Sequence, residues 1–330
     1  MTSKSNPTLK SSKVRVGLTI GDPAGIGPAI TLKAFKALKN KVNFTIIGDS
    51  FVLGRQAKAL GIKSIPADLV DLNNIDKKSF VFGRLNAQTG RASLEYLDKA
   101  YDLLKEHKID CLVTCPISKE AINLAGAKFL GHTEYLAKKA GSGDLLMMLL
   151  NDKLKFSLVT RHIALAQVPE ALTKKNLENN ILNTIKCLNS LFLIKRPRLV
   201  VCGLNPHASD NGVIGKEEQR VIKPALKSLK AKYSGAVIAG PLSADAAVWG
   251  AFNKKFDCVI AAYHDQALIP LKLSDPGSGV NLTFGLPFVR TSPLHGTAFD
   301  IARKPSLANP SSLIAAIKLA IKCTLNQRKA

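Results

Sequence analysis

Three of the six histidines in the chain follow short apolar runs. His162 comes after FSLVTR, His207 after LVVCGLNP and His264 after CVIAAY. In open α/β sheets ligands bind at the carboxyl ends of the strands, so the three imidazoles are expected at the edge where chemistry is done. Neutral imidazole nitrogens bind zinc and related ions. The pattern predicts a metal site with one position left for a substrate oxygen. Each histidine alone also suits a strand-end hydrogen bond.

Two aspartates lie beside these histidines. Asp265 follows His264 directly, and Asp245 comes after another apolar run, in GPLSAD. A carboxylate at such a position can orient a metal-bound imidazole or accept a proton from a substrate. Asp245 also suits the N-cap of a following helix. Both are candidate catalytic residues, and the sequence does not decide which is the general base.

Two further segments contain the residue types that bind phosphate. GHTE precedes a helical stretch, so Thr133 can cap a helix whose amides, with His132, are open to an anion. A later segment places Lys272, Asn281 and Arg290 among glycines and prolines, which suits phosphate or carboxylate recognition. A plain cap and ordinary surface residues are the alternatives.

GDPAGIGP (21–28) follows the first candidate strand and opens a helix. Its glycine spacing differs from the G-x-G-x-x-G of dinucleotide-binding folds, which occurs nowhere in the chain. Glycines allow close backbone approach to a ligand, and a helix start favours an anion. The turn from Gly21 to Gly27 is therefore a candidate cofactor contact, although a tight turn without a ligand would have the same sequence.

The chain has 330 residues and is strongly basic, with 47 Lys and Arg against 24 Asp and Glu and a net charge of +23. Such a balance brings nucleic acid into consideration as a partner. The basic residues occur singly or in pairs, however, and aromatic residues make up only 6%. No stacking platform for single strands is expected, and a lysine-rich solvated surface is favoured over a nucleic-acid partner.

No apolar stretch approaches the roughly 18 residues that a membrane span needs. The six cysteines form no CxxC pair, and several lie in apolar runs where a reduced thiol packs as a small hydrophobe. Residues 1–12 lack the apolar core of a secretory signal. We therefore expect a flexible tail over 1–12, a cytoplasmic location and no membrane partner.

Short apolar runs alternate with helical periodicity along the chain, as in βαβ units around a mainly parallel sheet. Candidate strands lie at 14–20, 43–47, 111–114, 156–160, 199–203, 236–239 and 258–261. The pattern predicts an α/β fold, but no composition shift marks a domain boundary.

Six segments, in order over nearly the whole chain, resemble the 4-hydroxythreonine-4-phosphate dehydrogenase family of vitamin B6 biosynthesis. They are GDPAGIGP (21–28), PISKEAINLAG (116–126), GHTEYLA (131–137), NPHASDNGVIGKEE (205–218), AAYHDQALIPLK (261–272) and GVNLTFGLPFVRTS (279–292). The resemblance implies an isocitrate/isopropylmalate dehydrogenase-like α/β/α fold with two lobes around a central cleft. It also implies a homodimer with the active site at the subunit interface. We accordingly expect an outer lobe of residues 13–125 plus about 275–330. A central lobe of 126–274 would carry the metal ligands and dimer contacts.

The same resemblance implies oxidation of 4-phosphooxy-L-threonine to 2-amino-3-oxo-4-phosphooxybutanoate, which decarboxylates to 3-amino-2-oxopropyl phosphate. The implied cofactors are NAD or NADP and a divalent zinc, magnesium or cobalt ion that lowers the pKa of the substrate hydroxyl. The implied metal ligands are His162, His207 and His264, one of them donated across the dimer interface. Implied contacts to the small phosphorylated substrate are His132, Thr133, Lys272, Asn281 and Arg290.

Three positions depart from the family pattern. Ala29 stands where glutamate is usual, Leu294 replaces the aspartate of an Asp-His-Gly-Thr-Ala run, and 303–305 (RKP) replaces a glycine-rich stretch. These departures affect the expected cofactor contacts and leave NAD or NADP open. A paralogue acting on threonate or erythronate 4-phosphate is the nearest rival interpretation. A phosphate acetyltransferase and a nucleic-acid-binding protein are more distant ones.

Overall fold

The structure is a computed structural model that describes residues 14–128 and 131–330. The tail expected over residues 1–12 lies outside the described residues. The chain divides into two compact units. Unit 1 comprises the described residues up to Gly141 together with Leu286–Leu325, and unit 2 comprises Ser142–Gly285 with Asn326–Ala330.

Eleven β-strands lie in the described residues, and they are numbered in chain order. They are β1 (Arg15–Thr19), β2 (Asn43–Gly48), β3 (Leu69–Asp71), β4 (Cys111–Thr114), β5 (Leu146–Leu150), β6 (Lys155–Leu158), β7 (Arg198–Cys202), β8 (Val237–Leu242), β9 (Cys258–Ala261), β10 (Val280–Phe284) and β11 (Val289–Pro293).

The α-helices of the same residues alternate with these strands. They are α1 (Gly27–Leu38), α2 (Ser50–Ala59), α3 (Ala87–Lys105), α4 (Lys119–Leu124), α5 (His132–Ala140), α6 (Val168–Ala171), α7 (Lys174–Phe192), α8 (Lys223–Lys232), α9 (Ala244–Phe252), α10 (His264–Ser274) and α11 (Ser311–Gln327). Short 3-10 segments occur at Leu165–Gln167, Pro206–Gly212 and Pro305–Leu307, and a π-helical turn occurs at Glu218–Ile222.

Unit 1 contains parallel strands in the order β3-β2-β1-β4-β11. Strand β1 is buried from its second residue to its last, as a strand covered by helices on both faces must be. Helices α2 and α3 begin where the side chains of Asp49 and Asn86 accept hydrogen bonds from backbone amides of the first turn. These caps satisfy amides that have no partner within the helix. Helix α3 packs against β1, β2 and α4.

Unit 2 contains strands in the order β10-β5-β6-β9-β7-β8. Strand β5 is antiparallel to both β10 and β6, whereas β6, β9, β7 and β8 run parallel. Helix α9 packs on β7 and β9, and α10 packs on β5, β6 and β9. Because the four parallel strands are adjacent, their carboxyl ends share one edge, which we call the carboxyl-end edge of unit 2.

The α/β class predicted from the sequence is confirmed, and each of the seven candidate strands corresponds to a strand of the structure. The sequence pattern missed β3, β5, β10 and β11. Strand β5, LMMLL, is wholly apolar and fully buried, a pattern that a buried helical segment shares. It also makes the sheet of unit 2 mixed rather than purely parallel.

The chain passes from one unit to the other after Gly141 and after Gly285, whereas the resemblance implied boundaries near 125 and 275. Helix α5 belongs to unit 1 because it is tied to α3. The Tyr135 hydroxyl donates to Asp98 at 2.5 Å, and Lys139 Nζ lies 2.6 Å from the same carboxylate. Strand β10 belongs to unit 2 because it pairs with β5.

All six cysteines are buried and outside any disulfide. Burial raises the pKa of Cys115, Cys202, Cys258 and Cys323 to about 12. These thiols therefore stay protonated at neutral pH and pack as small apolar groups. A separate observation concerns the described helices, none of which has the length and apolarity to cross a membrane.

Candidate functional site

The carboxyl-end edge of unit 2 carries the predicted metal ligands. The strand order β6-β9-β7-β8 places His264, which follows β9, between the positions of His162 after β6 and His207 after β7. Asp245 follows β8, the next strand along. Residues separated by about a hundred positions are thus brought to one edge, where open α/β sheets bind ligands.

His162 and His264 are close neighbours on this edge. Their ring centroids lie 5.9 Å apart with the ring planes inclined at 46°. His264 is the first residue of α10, and its Nδ1 lies 2.7 Å from Oδ1 of Asp265. An imidazole that donates from Nδ1 to a carboxylate presents the lone pair of Nε2 to a metal ion or a proton. The His264 side chain is 35% exposed, so a ligand from solvent can reach it.

His207 lies in a turn with an uncommon backbone. The five consecutive residues from His207 to Asn211 all have left-handed φ values between 45° and 68°. This conformation costs a non-glycine residue about 1–2 kcal/mol, so the surrounding contacts must hold the turn in place. Strained backbone of this kind clusters at functional sites. The turn leaves the His207 side chain exposed at the carboxyl-end edge.

Glu218 anchors the segment that leads into this turn. It is fully buried, and one of its oxygens accepts hydrogen bonds from the amides of Leu204 (2.8 Å) and Asn205 (2.9 Å). Its second oxygen accepts from Nδ2 of Asn205 at 2.9 Å. A buried carboxylate is stable only when such donors replace water. Glu218 therefore holds residues 204 and 205, which come directly before the His207 turn.

Gln266 connects the ends of two strands that precede metal candidates. Its Nε2 donates to the carbonyl of Gly203 after β7, at 2.9 Å, and its Oε1 accepts from the amide of Ala262 after β9, at 2.8 Å. The sequence interpretation missed both Glu218 and Gln266. The only available signal was their place within the segments that resemble the dehydrogenase family.

Asp245 lies in the first turn of α9 and is exposed. The N-cap position is Ser243, so the alternative that Asp245 itself is the N-cap is wrong. A hydrogen bond from the Ser243 side chain, the amide of Ala246 and the nearby His207 each lower the pKa of Asp245. The carboxylate is therefore ionised at neutral pH and can accept a proton.

The donors on this edge suit a divalent metal by their chemistry, since imidazole nitrogens and carboxylate oxygens are ligands of zinc, cobalt and magnesium. The structure brings His162 next to His264, and it places Asp245 within electrostatic reach of His207. Within residues 14–128 and 131–330, no group of three or more His, Cys, Asp or Glu is already arranged to hold an ion. The donor types therefore fit a divalent metal.

The phosphate candidates of unit 1 converge at the start of α5. This helix begins at His132, and its N-cap is Gly131, without a side-chain cap. The expectation that Thr133 caps the helix is therefore wrong, because Thr133 is buried within the first turn instead. Burial, followed by the charge of Arg290, holds the pKa of His132 well below its usual range. The imidazole is therefore neutral at pH 7, beside a helix start that favours anions.

Arg290 lies in β11 and is only 2% exposed. Its Nη2 donates to Oγ1 of Thr114 at 2.5 Å. Burial lowers the pKa of Arg290 to about 10, while Glu134 opposes that shift, so the guanidinium remains a cation at neutral pH. A buried guanidinium beside a neutral imidazole and a helix start forms an environment that favours a phosphate dianion.

The other two predicted substrate contacts belong to unit 2. Lys272 is exposed in the last turn of α10. Asn281 lies in β10 opposite Leu149, and its buried Oδ1 has no hydrogen-bond partner among the described residues. A buried amide oxygen without a partner is rare, and it can accept a hydrogen bond from a ligand.

The glycine-rich turn from Gly21 to Gly27 packs against other backbone groups of unit 1. Gly21 has a φ of +71°, and a Cβ at this position would lie 2.3 Å from the carbonyl oxygen of Pro116. Four backbone amides of the turn donate hydrogen bonds to acceptors within unit 1. They are the amides of Asp22, Ala24, Gly25 and Ile26. The packing of unit 1 thus accounts for the glycine spacing without a bound cofactor.

Comparison with known proteins gives a consistent result. Residues 27–320 match the family described as Pyridoxal phosphate biosynthetic protein PdxA. The chain is 42% identical over 321 residues to the 4-hydroxythreonine-4-phosphate dehydrogenase of Sulfurihydrogenibium sp. (strain YO3AOP1), covering 93% of this chain and 98% of that protein. It is 38% identical over 327 residues to a protein of Symbiobacterium thermophilum provisionally named D-threonate 4-phosphate dehydrogenase, covering 93% and 96%.

Solved structures show the same relationship. The crystal structure of 4-hydroxythreonine-4-phosphate dehydrogenase from Klebsiella pneumoniae aligns with a TM-score of 0.84 at 35% identity, covering 96% of this chain and 99% of that one. Isocitrate dehydrogenase from Methylococcus capsulatus aligns with a TM-score of 0.50 at 14% identity, covering 96% and 87%. The second likeness concerns the fold alone and confirms the fold class implied by the sequence.

Proposed function

Since the chain belongs to the PdxA family of pyridoxal phosphate biosynthetic proteins, we propose that it is a 4-hydroxythreonine-4-phosphate dehydrogenase. It is an oxidoreductase that converts 4-phosphooxy-L-threonine to 2-amino-3-oxo-4-phosphooxybutanoate, which then loses carbon dioxide to give 3-amino-2-oxopropyl phosphate. Within the structure, the pair of His162 and His264 with Asp265 at the carboxyl-end edge of unit 2 carries this proposal.

In this proposal His162, His207 and His264 hold a divalent zinc, magnesium or cobalt ion. When bound there, the metal would supply a positive charge that lowers the pKa of the substrate hydroxyl, and the nicotinamide of NAD or NADP would serve as the hydride acceptor. Asp265 keeps the His264 ring in one orientation through their 2.7 Å contact, so it is a positioning residue. Because that carboxylate is already engaged, Asp245 is the better candidate to accept the hydroxyl proton.

The substrate phosphate is assigned to His132, Thr133 and Arg290. Arg290 supplies a buried positive charge, and the start of α5 supplies backbone amides. Lys272 and Asn281 are assigned to polar groups of the substrate. Binding energy from a phosphate remote from the reacting carbon can position that carbon for oxidation.

A homodimer is part of the proposal, and the exposed face of α9 and α10 supports it. Four large apolar side chains are exposed on these helices, namely Trp249 (68%), Phe252 (41%), Ile269 (58%) and Leu273 (80%). Lys153 connects the two helices, since its Nζ lies 5.7 Å from the Phe252 ring centroid and donates to the carbonyl of Ser274. Exposed apolar patches of this kind mark interaction surfaces.

The same helices begin at the proposed site, because α10 starts with His264 and α9 carries Asp245 in its first turn. A subunit interface on this face would therefore lie next to the metal ligands, and we propose that one ligand is donated across it. We also infer a cytoplasmic location, because six buried cysteines without a disulfide are typical of a reducing compartment.

The test is NADH and NADPH formation by the metal-depleted protein on 4-phosphooxy-L-threonine, with and without added zinc, magnesium or cobalt. We expect turnover that depends on the metal and is lost in His207→Ala. His107→Asn is the matched control, because His107 is exposed, has a φ of 52° that asparagine tolerates, and lies in unit 1. Absence of turnover with every metal and both cofactors would overturn the proposal.

A second substrate is tested beside the first, because the relative from Symbiobacterium thermophilum is named for D-threonate 4-phosphate. The two substrates share the phosphate and the secondary hydroxyl. They differ at one position, where 4-phosphooxy-L-threonine carries an amine and threonate 4-phosphate carries a hydroxyl. A preference for threonate 4-phosphate would keep the metal and phosphate sites and reassign the substrate.

A further inference from the structure

Lys119 is an exposed lysine of unit 1 that lies beside the start of α5. It is the first residue of α4, whose N-cap Ser118 accepts a hydrogen bond from the amide of Ala121 at 3.1 Å. A Cβ added to Gly131, the N-cap of α5, would lie 3.8 Å from Cε of Lys119. The lysine side chain therefore lies against the helix start to which the substrate phosphate is assigned.

This position is unfavourable for a cation unless an anion binds nearby. The first turn of a helix has a partial positive charge, so carboxylates stabilise it and ammonium groups do not. Lys119 lies at the start of α4 and next to the start of α5. Within residues 14–128 and 131–330, no ion pair of its ammonium group occurs. The stability of the fold therefore does not explain this lysine.

Two cations lie close to one imidazole at the start of α5. Burial, followed by the charges of Arg290 and Lys119, lowers the pKa of His132, so both positive charges act on that ring. A carboxylate approaches the same place, because Oε2 of Glu134 would lie 2.6 Å from a Cβ added to Gly131. This carboxylate offsets one of the two positive charges, and the remaining charge favours an anion.

The charge of a phosphate monoester fits this arrangement. Such a group has a charge of about −1.5 to −2 at pH 7. Among the residues assigned to the phosphate, Arg290 is the charged one, because the pKa of His132 is lowered and the ring is neutral. Glu134 acts electrostatically on Arg290 and would offset its charge. Without Lys119, these side chains would offer the phosphate no net positive charge.

We propose that Lys119 binds the substrate phosphate and supplies the second positive charge of its site. The inference rests on the proposed function for the identity of the substrate, whereas phosphate binding is measurable without turnover. Lys119 is then a specificity-determining residue, because a site with two cations favours a phosphate dianion over a singly charged carboxylate.

The test is isothermal titration calorimetry of the full-length protein with inorganic phosphate and with 4-phosphooxy-L-threonine at pH 8. Lys119→Gln should weaken the binding of both ligands about tenfold or more, because it removes a charge-assisted hydrogen bond. Lys119→Arg keeps the charge and should restore most of the affinity. Lys41→Gln is the matched control, since Lys41 is an exposed lysine of unit 1 that precedes β2, whereas Lys119 follows β4.

Thermal unfolding without ligand separates a binding role from a structural one. Removal of an ammonium group from a helix start should leave Tm unchanged or raise it, whereas loss of a structural contact would lower it. Unchanged phosphate affinity in Lys119→Gln, or no saturable phosphate binding by the unmodified protein, would overturn the proposal. Phosphate binding that depends on Lys119 in a protein without dehydrogenase turnover would instead overturn the proposed function and leave the role of Lys119 in place.

Discussion

The side chains of His264 and Asp265, adjacent in the sequence, contact each other, with Nδ1 of the imidazole 2.7 Å from Oδ1 of the carboxylate. Both residues lie in the first turn of α10, where β9 ends. The contact fixes the ring and its tautomer, and it makes the remaining nitrogen a better electron-pair donor. We therefore expect Asp265 to support the proposed metal site through His264.

Asp265→Asn is expected to lower the affinity for the activating metal about 10–100-fold, as is common when a carboxylate behind a metal-bound imidazole is lost. Calorimetric titration of the metal-depleted protein with zinc measures the effect. Asp152→Asn, at an exposed aspartate of unit 2, should leave the affinity unchanged. Equal affinities in Asp265→Asn and the unmodified protein would remove Asp265 from the site.

Arg290→Lys is expected to raise KM for the phosphorylated substrate about 10–100-fold with little change in kcat, because it removes a charged hydrogen-bonding fork while keeping the charge. The fork is held by Thr114 at 2.5 Å, so Thr114→Val should shift KM in the same direction by less. Steady-state kinetics separates the two parameters. A fall in kcat with KM unchanged would contradict a role in phosphate binding.

The sequence predicted those features that depend on local pattern. The apolar runs that became β6, β7 and β9 were recognisable, and the histidines after them were expected at one edge of a sheet. The contact between His162 and His264 could not be derived, because it depends on β9 inserting between β6 and β7. Residue spacing along a chain does not determine strand order.

Other features escaped prediction for different physical reasons. In the left-handed turn at His207, the five residues of positive φ before Gly212 are all residues other than glycine. The sequence of the turn therefore shows none of the usual signals for that conformation. Glu218 looks like a surface residue because carboxylates are rarely buried. Its burial depends on three hydrogen bonds that only the folded chain forms.

Glu218→Gln is expected to lower the free energy of unfolding by about 1–3 kcal/mol, because one acceptor oxygen facing these donors becomes an NH₂ group. Loosening of the segment before His207 should also weaken metal binding. Urea unfolding and calorimetry measure the two effects. Glu170→Gln, at an exposed site of unit 2, is the control. A stable variant with unchanged metal affinity would show that Glu218 does not position His207.

Leu273→Glu is expected to convert the proposed dimer to a monomer, because Leu273 is 80% exposed on the apolar face of α10 and a buried charge would be left unpaired. Sedimentation velocity measures the mass. Leu124→Glu, at a leucine of unit 1 that is 59% exposed, should not change it. A dimer that persists in Leu273→Glu would place the interface elsewhere.

The last prediction concerns Asp22, a fully buried carboxyl in the glycine-rich turn. Burial raises the pKa of Asp22 from 3.8 to about 6, although the amide of Ala24 opposes the shift. The folded protein therefore holds this proton more tightly than the unfolded chain. It follows that the free energy of unfolding falls as pH rises from 3.8 to about 6. Above that range the buried charge destabilises the fold by up to about 3 kcal/mol.

Asp22→Asn removes the charge and keeps an oxygen to accept from the amide of Ala24. The variant should be more stable than the unmodified protein by about 1–3 kcal/mol at pH 8, with the advantage shrinking towards pH 4. Urea unfolding across this range measures the difference. The pKa of His132 is lowered, so its contribution to the free energy of unfolding rises with pH. This contribution is the same in both proteins and cancels when they are compared. Asp68→Asn, at an exposed aspartate of unit 1, should show no such trend. A variant that loses stability at pH 8 would mean that the ionised carboxylate is needed by the turn.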